Sequence, residues 1–270
     1  MEFFGTALPP KIAYSLDQMD ELAKNVVERS VAVPGVQPKL SMTLVKEVKE
    51  NSATRLTVVG ALGGNYILKP PTARFPEMPE NEHLTMRMAE VFGIKVVPSS
   101  LIRLVSGELA YITKRVDRTE TGEKIHMIDM FQITEAFDKY KGSMEGIGKA
   151  LSSYSSNTLL DKTYFFDLVL FSFLTGNNDM HLKNFSMMER ISGWALSPSY
   201  DLLNLKRENF EQLGAGLGLN PKQINVAFNR MIKNRSKASD WIERSFLSND
   251  MKSAYYNVME VRYNQLELKE

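Results

Sequence analysis

The stretch from Tyr164 to Thr175 is the longest apolar run in the chain, and it limits most strongly how the rest can fold. Just before it, Thr158-Leu159-Leu160-Asp161 has the spacing of a capping box, so the pattern predicts a helix that begins there. A helical membrane span takes about 20 residues; this run is shorter, and Asp167 interrupts it. A helix that is apolar almost all round, yet too short for a bilayer, belongs in the core of a lobe. With 270 residues and 43% apolar content, the chain has the material for such a core.

Composition removes several functional classes. Lys plus Arg number 33 against 32 Asp plus Glu, so the net charge of +1 gives no long-range pull toward nucleic acid or a membrane surface. Cysteine is absent, which excludes disulfides, thiolate nucleophiles and cysteine-ligated zinc. Three scattered histidines, His83, His126 and His181, argue against a histidine metal site, so any metal should be oxygen-ligated. The start Met1-Glu2-Phe3-Phe4-Gly5 does not look like a secretory signal, and the expected location is cytoplasmic, with no membrane partner.

Hydrophobic spacing predicts a surface helix over 16–29, followed by a strand, loop, strand unit over Ser30 to Ser41 around Pro34-Gly35. Arg55 to Val59 and Tyr66 to Pro70 read as a further strand pair around the Gly60 to Asn65 turn. After prolines at 70, 71, 76 and 79, Glu80 to Phe92 reads as a helix closed by Gly93. Strands follow over Leu101 to Val105 and Glu108 to Val116. Helical signals dominate from Met130 and again from Thr158, with one hairpin joining Ser186–Arg190 to Trp194–Leu196. Helices over 221–233, 239–246 and 250–268 close the chain. The fold class is α+β in two lobes, a small β-rich N-lobe over 1–118 and a larger, mostly helical C-lobe over 119–270.

Past the apolar helix comes Gly176-Asn177-Asn178-Asp179-Met180-His181-Leu182-Lys183-Asn184-Phe185-Ser186. Asp179 and Asn184 stand in the Asp-x-x-x-x-Asn spacing that protein kinases use for a catalytic base and a metal ligand. Taken alone, that spacing also fits an Asx turn in a solvated loop. Asp201 follows 17 residues later in an apolar setting and can supply a second metal contact. Two acids and an amide suit Mg2+, which phosphoryl transfer needs because charge on the migrating group must be stabilised. Lys69, at the end of an alternating strand, stands where a kinase places the lysine that meets nucleotide phosphates, and Glu82 is a candidate partner for it. Each has a plainer reading, an edge-strand lysine and a helix-dipole carboxylate. The Pro34 to Lys39 loop can cradle phosphates through Gly35 and Lys39, although a Pro-Gly turn explains it equally and it is not a Walker A loop. Lys183 fits a charge role, and His181 either braces the loop or approaches the nucleotide.

Taken together, these motifs resemble those of the HipA-like family of bacterial serine/threonine kinases, from about Val31 to Leu203. Val33-Pro34-Gly35-Val36-Gln37-Pro38-Lys39 looks like the family's phosphate loop, which implies ATP contacts from Val33, Gly35, Gln37 and Lys39. The resemblance implies a two-lobed protein-kinase-like fold, with Asp179 as base, Asn184 and Asp201 on Mg2+, and Lys69 on the ATP phosphates. Lys114-Arg115-Val116-Asp117-Arg118 resembles the family's Glu-Arg-Phe-Asp-Arg hinge, so backbone at Lys114 and Val116 would meet adenine. Because Lys114 and Val116 replace an acid and an aromatic there, stacking on adenine is not implied. The early phosphate loop resembles the short HipT-like branch, in which a separate small HipS-like protein supplies a missing subdomain. The family's toxin role implies a HipB-like DNA-binding antitoxin and an aminoacyl-tRNA synthetase substrate; the near-zero net charge and the lack of a run of basic residues on any expected helix argue against direct nucleic-acid contact. Ser30, just before the phosphate loop, is where some members autophosphorylate. The alternative is a non-catalytic nucleotide-binding regulatory pseudokinase.

Overall fold

The computed structural model describes residues 3–5, 9–19, 21–22, 39–46, 54–59, 63–75, 77–176, 181–200 and 207–267. Most of the helix expected over 16–29, and nearly all of the phosphate loop, lie outside the described residues. The chain divides into two compact units, one of Met1–Met86 with Val97–Glu123 and one of Arg87–Val96 with Lys124–Glu270.

The first unit is built on six strands: β1 (Lys11–Ile12), β2 (Leu40–Lys46), β3 (Thr54–Val58), β4 (Tyr66–Lys69), β5 (Ser99–Arg103) and β6 (Leu109–Lys114). Their spatial order is β1-β3-β2-β4-β6-β5. The strand pair expected from 55–59 and 66–70 is therefore not a hairpin. β2 lies between its two halves, with Leu44 opposite Leu56 and Leu40 opposite Leu68. Alternation marks each strand but not its neighbour, and burial decides the order. Leu40, Met42, Leu56 and Leu68 are all fully buried, so inserting β2 makes one continuous apolar face. The connection is kept tight by Gly64 at φ 75°, where a Cβ would collide with the Met42 carbonyl that accepts from Asn65 N–H at 3.0 Å. Helix α1 (Met78–Val91) starts in the first unit and ends in the second. It stops where expected, because Gly93 at φ 79° lets its own N–H reach Glu90 O and the Ile94 N–H reach Ala89 O.

The second unit carries a three-stranded sheet, β7 (Met127–Asp129), β8 (Ser186–Arg190) and β9 (Gly193–Leu196), in that order. The hairpin expected over 186–196 forms, with Arg190 opposite Gly193. The helices are α2 (Met130–Ile133), α3 (Met144–Tyr154), α4 (Thr158–Leu174), α5 (Arg207–Gly216), α6 (Pro221–Lys233), α7 (Arg235–Arg244) and α8 (Asn249–Glu267). The apolar run becomes α4, and Phe165, Phe166, Val169, Leu170, Phe171 and Phe173 are fully buried. Edge-on aromatic pairs wrap it: Phe166 with Phe228 of α6, Phe173 with Phe210 of α5, and Phe171 with Phe92. Each such pair adds about 0.5–1.5 kcal/mol beyond the area it buries.

The capping box expected at Thr158 is absent. Asn157 is the N-cap and makes no side-chain cap bond. Asp161 instead turns inward, where its Oδ2 accepts from Ser155 Oγ at 2.7 Å and from the Leu196 N–H of β9 at 2.8 Å. A buried carboxylate takes the strongest donors it can reach, and here these join α4 to the sheet. Capping boxes do form at Asp129 with Gln132 and at Asn220 with Gln223. Asp167, the charge inside the apolar run, is buried and bonded to Arg230 of α6. Burial pushes its carboxyl above the usual range, against the lowering pull of Arg230.

Candidate active site

In the first unit, Lys69 closes β4 and its side chain is almost wholly buried at 7% exposure. It forms an ion pair with Glu82 of α1. Opposite it on β6 stands Tyr111, fully buried, with the Lys69 ammonium 5.5 Å from the ring centroid. Burial, and next the charge of Glu82, push the Tyr111 hydroxyl above its ordinary value, partly offset by Lys69. Two buried charges lose more hydration than a simple pair returns unless the geometry is good, so such a pair adds little to stability as a fold element. The arrangement is better suited to presenting a fixed cation to an anionic ligand.

The hinge segment is tied within the same unit. Lys114 N–H donates to Pro98 O at 3.0 Å and Arg115 N–H to Asn65 O at 2.8 Å, so both amides are committed to the lobe's own backbone. Of the Lys114 backbone only the carbonyl is left for the contact expected there, and it already accepts from Thr113 Oγ1 at 3.3 Å; Val116 lies two residues further on. The side chains form a cluster that the sequence motif alone did not predict. Arg115 grips Asp117 through Nε and Nη2 at 2.9 and 2.8 Å, and Arg118 Nη1 adds a contact of 2.6 Å. Burial raises the Asp117 carboxyl, but the hydrogen bonds and charges of Arg115 and Arg118 win and hold it below the usual range. Arg115 Nη1 also reaches Gly63 O at 3.2 Å and Ser41 Oγ at 3.4 Å, linking the hinge to the strand that follows the phosphate loop. Lys39 is exposed at the entry to β2. The Arg-x-Asp-Arg spacing over 115–118 is the signal by which this clamp could have been found.

In the second unit, residues 182–184 form a 3-10 turn that presents Asn184, which is 5% exposed. Asn184 N–H bonds to His181 O at 2.9 Å, and Phe185 O accepts from Met130 N–H at 2.8 Å. The loop between α2 and α3 braces the other end. Lys139 O accepts from Leu182 N–H at 3.2 Å, and Lys139 Nζ lies 3.2 Å from His181 Nε2. An ammonium only donates, so His181 Nε2 accepts and Nδ1 carries the proton. The Tyr140 ring meets the His181 ring edge-on at 5.3 Å. His181 is thus held by protein neighbours, and Lys183 lies 4.7 Å from the Phe131 ring centroid. Asp179, Asp201, Val33, Gly35, Gln37 and Ser30 lie outside the described residues. Among the described residues no group of three or more His, Asp or Glu could hold a metal. The two side chains expected on the metal, Asn184 and Asp201, offer oxygen donors, the hard ligand type that Mg2+ takes.

Among known proteins, the family described as HipA-like C-terminal domain matches over residues 31–258. Y4dM of Sinorhizobium fredii, which carries a provisional kinase name, is 35% identical over 200 residues, 68% of this chain and 47% of that one. HipA of Shewanella oneidensis, named a serine/threonine-protein kinase toxin, is 27% identical over 203 residues, 67% of this chain and 45% of that one. The solved complex of Shewanella oneidensis HipA, HipB and operator DNA contains a chain that matches at TM-score 0.68 and 21% identity. That match covers 91% of this chain and 70% of the other. The Helicobacter pylori proinflammatory kinase CtkA matches at TM-score 0.57 and 14% identity, over 84% of this chain and 93% of that one. The structural matches establish the kinase-like α+β fold. The chain spans about half the length of the curated relatives it matches. Since the family match runs through both units and most of the sequence, the chain belongs to the HipA-like C-terminal domain family.

Proposed function

We propose that this protein is an ATP-dependent serine/threonine kinase, the toxin of a HipA-type toxin-antitoxin pair. The observation that carries the reading is the buried Lys69–Glu82 ion pair, a fixed cation on the sheet of the first unit. In this reading Lys69 donates to ATP phosphates, and Glu82 keeps the ammonium oriented when the nucleotide is absent. Val33, Gly35, Gln37 and Lys39 line the phosphate loop, and backbone at Lys114 and Val116 contacts adenine. Asn184 and Asp201 hold Mg2+, whose role when bound is to neutralise charge on the phosphate oxygens. Asp179 accepts the proton of a Ser or Thr hydroxyl as that oxygen bonds to the γ-phosphorus of ATP, the bond from that phosphorus to the β,γ-bridging oxygen breaks and ADP leaves, and Lys183 adds positive charge nearby. Among the described residues no helix is long and apolar enough to cross a membrane.

The test is nucleotide binding by calorimetry in the presence of Mg2+. Wild type binds ATP, and Lys69→Met loses at least about tenfold in affinity, the size expected when a buried charge-assisted bond is removed. Equal affinity in the two proteins would remove the assignment. The partner in this reading is a HipB-like antitoxin, as in the Shewanella complex, and the substrate class is an aminoacyl-tRNA synthetase. Ser30 is proposed as an autophosphorylation site: about −1.5 to −2 charges placed beside the phosphate loop would repel the ATP phosphates and lower affinity. Peptide mapping after incubation with Mg-ATP decides this, and an active enzyme with unmodified Ser30 excludes the switch.

A further inference from the structure

Tyr111 is fully buried, yet its place on the sheet is not that of a core residue of the first unit. Its neighbours in β6, Ala110 and Ile112, point to the opposite face and join the apolar cluster that holds Leu40, Met42, Leu56 and Leu68. Tyr111 shares its own face with Lys69, directly across the β4–β6 pair. Among the described residues its hydroxyl makes no close hydrogen bond, and the Ser99 and Thr113 hydroxyls are the smallest influences on its acidity. What the ring does meet is a charge. The Lys69 ammonium lies 5.5 Å from the ring centroid, inside the reach of a cation–π contact, and burial of both residues removes the water that would weaken it.

We propose that Tyr111 is a positioning residue whose ring face holds the Lys69 ammonium in place, so that it sets the affinity for the phosphate part of a nucleotide and not for its adenosine part. The inference rests on the kinase reading above, in which Lys69 meets the ATP phosphates. A lysine carries its charge on a flexible four-carbon stem, so contacts decide where the ammonium stands. Glu82 supplies one such contact and the Tyr111 ring another. Without the ring the stem regains rotamers that must be frozen again when an anion binds, which lowers the affinity for that anion. A tyrosine that merely filled space would act on the whole lobe, and its loss would not separate phosphate from adenosine.

The experiment measures binding of Mg-ATP and of adenosine to wild type, Tyr111→Leu, Tyr111→Phe and Lys69→Met, with thermal melting of each. Tyr111→Leu should raise the Kd for ATP by about three- to thirtyfold, the worth of a cation–π contact away from water, and leave the Kd for adenosine where it was. Tyr111→Phe keeps the ring and should recover most of that loss. Equal weakening of ATP and adenosine in Tyr111→Leu overturns the proposal, and so does a loss in Tyr111→Phe as large as that in Tyr111→Leu. If Tyr111→Leu does not fold, NMR of wild type decides. The ring current should move the Lys69 ε-methylene protons upfield of those of exposed lysines, with Lys69→Met assigning the signal, and an unshifted signal contradicts the contact. Loss of ATP affinity in Lys69→Met but not in Tyr111→Leu overturns the proposal alone, whereas no loss in Lys69→Met sinks the kinase reading and the proposal with it.

Discussion

Lys69 shows what a single residue can and cannot reveal before a structure exists. An alternating strand that ends in lysine is common, and most lysines are solvated. Its burial beside Glu82 and Tyr111 depends on β6 lying next to β4, which no local pattern encodes. The pair makes a specific prediction. Glu82→Ala should destabilise the protein by up to about 3 kcal/mol, because it leaves a buried ammonium without its counter-charge, whereas Glu82→Gln should lose less. Urea unfolding of the two variants measures this, and equal stability to wild type would show that the pair is solvated. Asp179→Asn should lower phosphoryl transfer by about 100- to 10,000-fold, the usual worth of a general base, while leaving Mg-ATP binding close to wild type. Asp201→Ala should instead weaken the Mg2+-dependent part of nucleotide binding, which calorimetry with and without Mg2+ resolves.

At the scale of elements, periodicity identified strands and helices better than it identified their neighbours. The run over 164–175 became the buried α4, and the 186–196 hairpin formed, because in each case the signal and its partner are close in sequence. The supposed hairpin of 55–70 failed because β2 supplies the missing apolar partners from a distance. The capping box at Thr158 failed because Asp161 found better donors on Ser155 and β9. The connection that permits the β3-β2-β4 order depends on Gly64, so Gly64→Ala should cost about 1–2 kcal/mol for the left-handed backbone alone. Collision with the Met42 carbonyl adds to this, since that oxygen belongs to a paired strand and cannot move cheaply. A denaturation midpoint unchanged from wild type would refute this account of the turn.

For the whole molecule, two carboxylates, the half-buried Asp117 and the buried Asp167, make opposing contributions to stability against pH. The folded-state value of Asp117 is depressed by Arg115 and Arg118. Its stabilisation is thus fully present above the ordinary Asp value of about 3.9 and is lost as pH falls through the lower folded value. Asp167 is raised by burial, so its contribution is full below the ordinary value and declines as pH rises through the elevated one. Asp117→Asn should therefore reduce stability at neutral pH and flatten the acid limb of the stability curve, and an unchanged acid limb would contradict the clamp. The family and the α+β class were legible from motifs in sequence order, because spacing survives without coordinates. The Arg115–Asp117–Arg118 contacts are local and their spacing was readable, but the reach of Arg115 to Ser41 and Gly63 was not, since tertiary packing brings those residues together.

Phosphate transfer measured directly tests the central claim. Purified wild type and Asp179→Asn, each incubated with Mg-ATP and with an aminoacyl-tRNA synthetase of the host, are compared by mass spectrometry with site mapping. The account predicts phosphate on Ser or Thr with wild type and none with Asp179→Asn, although both bind Mg-ATP. Mg-ATP binding by wild type with no phosphate on itself, on the synthetase or on any protein of a host extract would contradict it and mark the protein as a nucleotide-binding regulator.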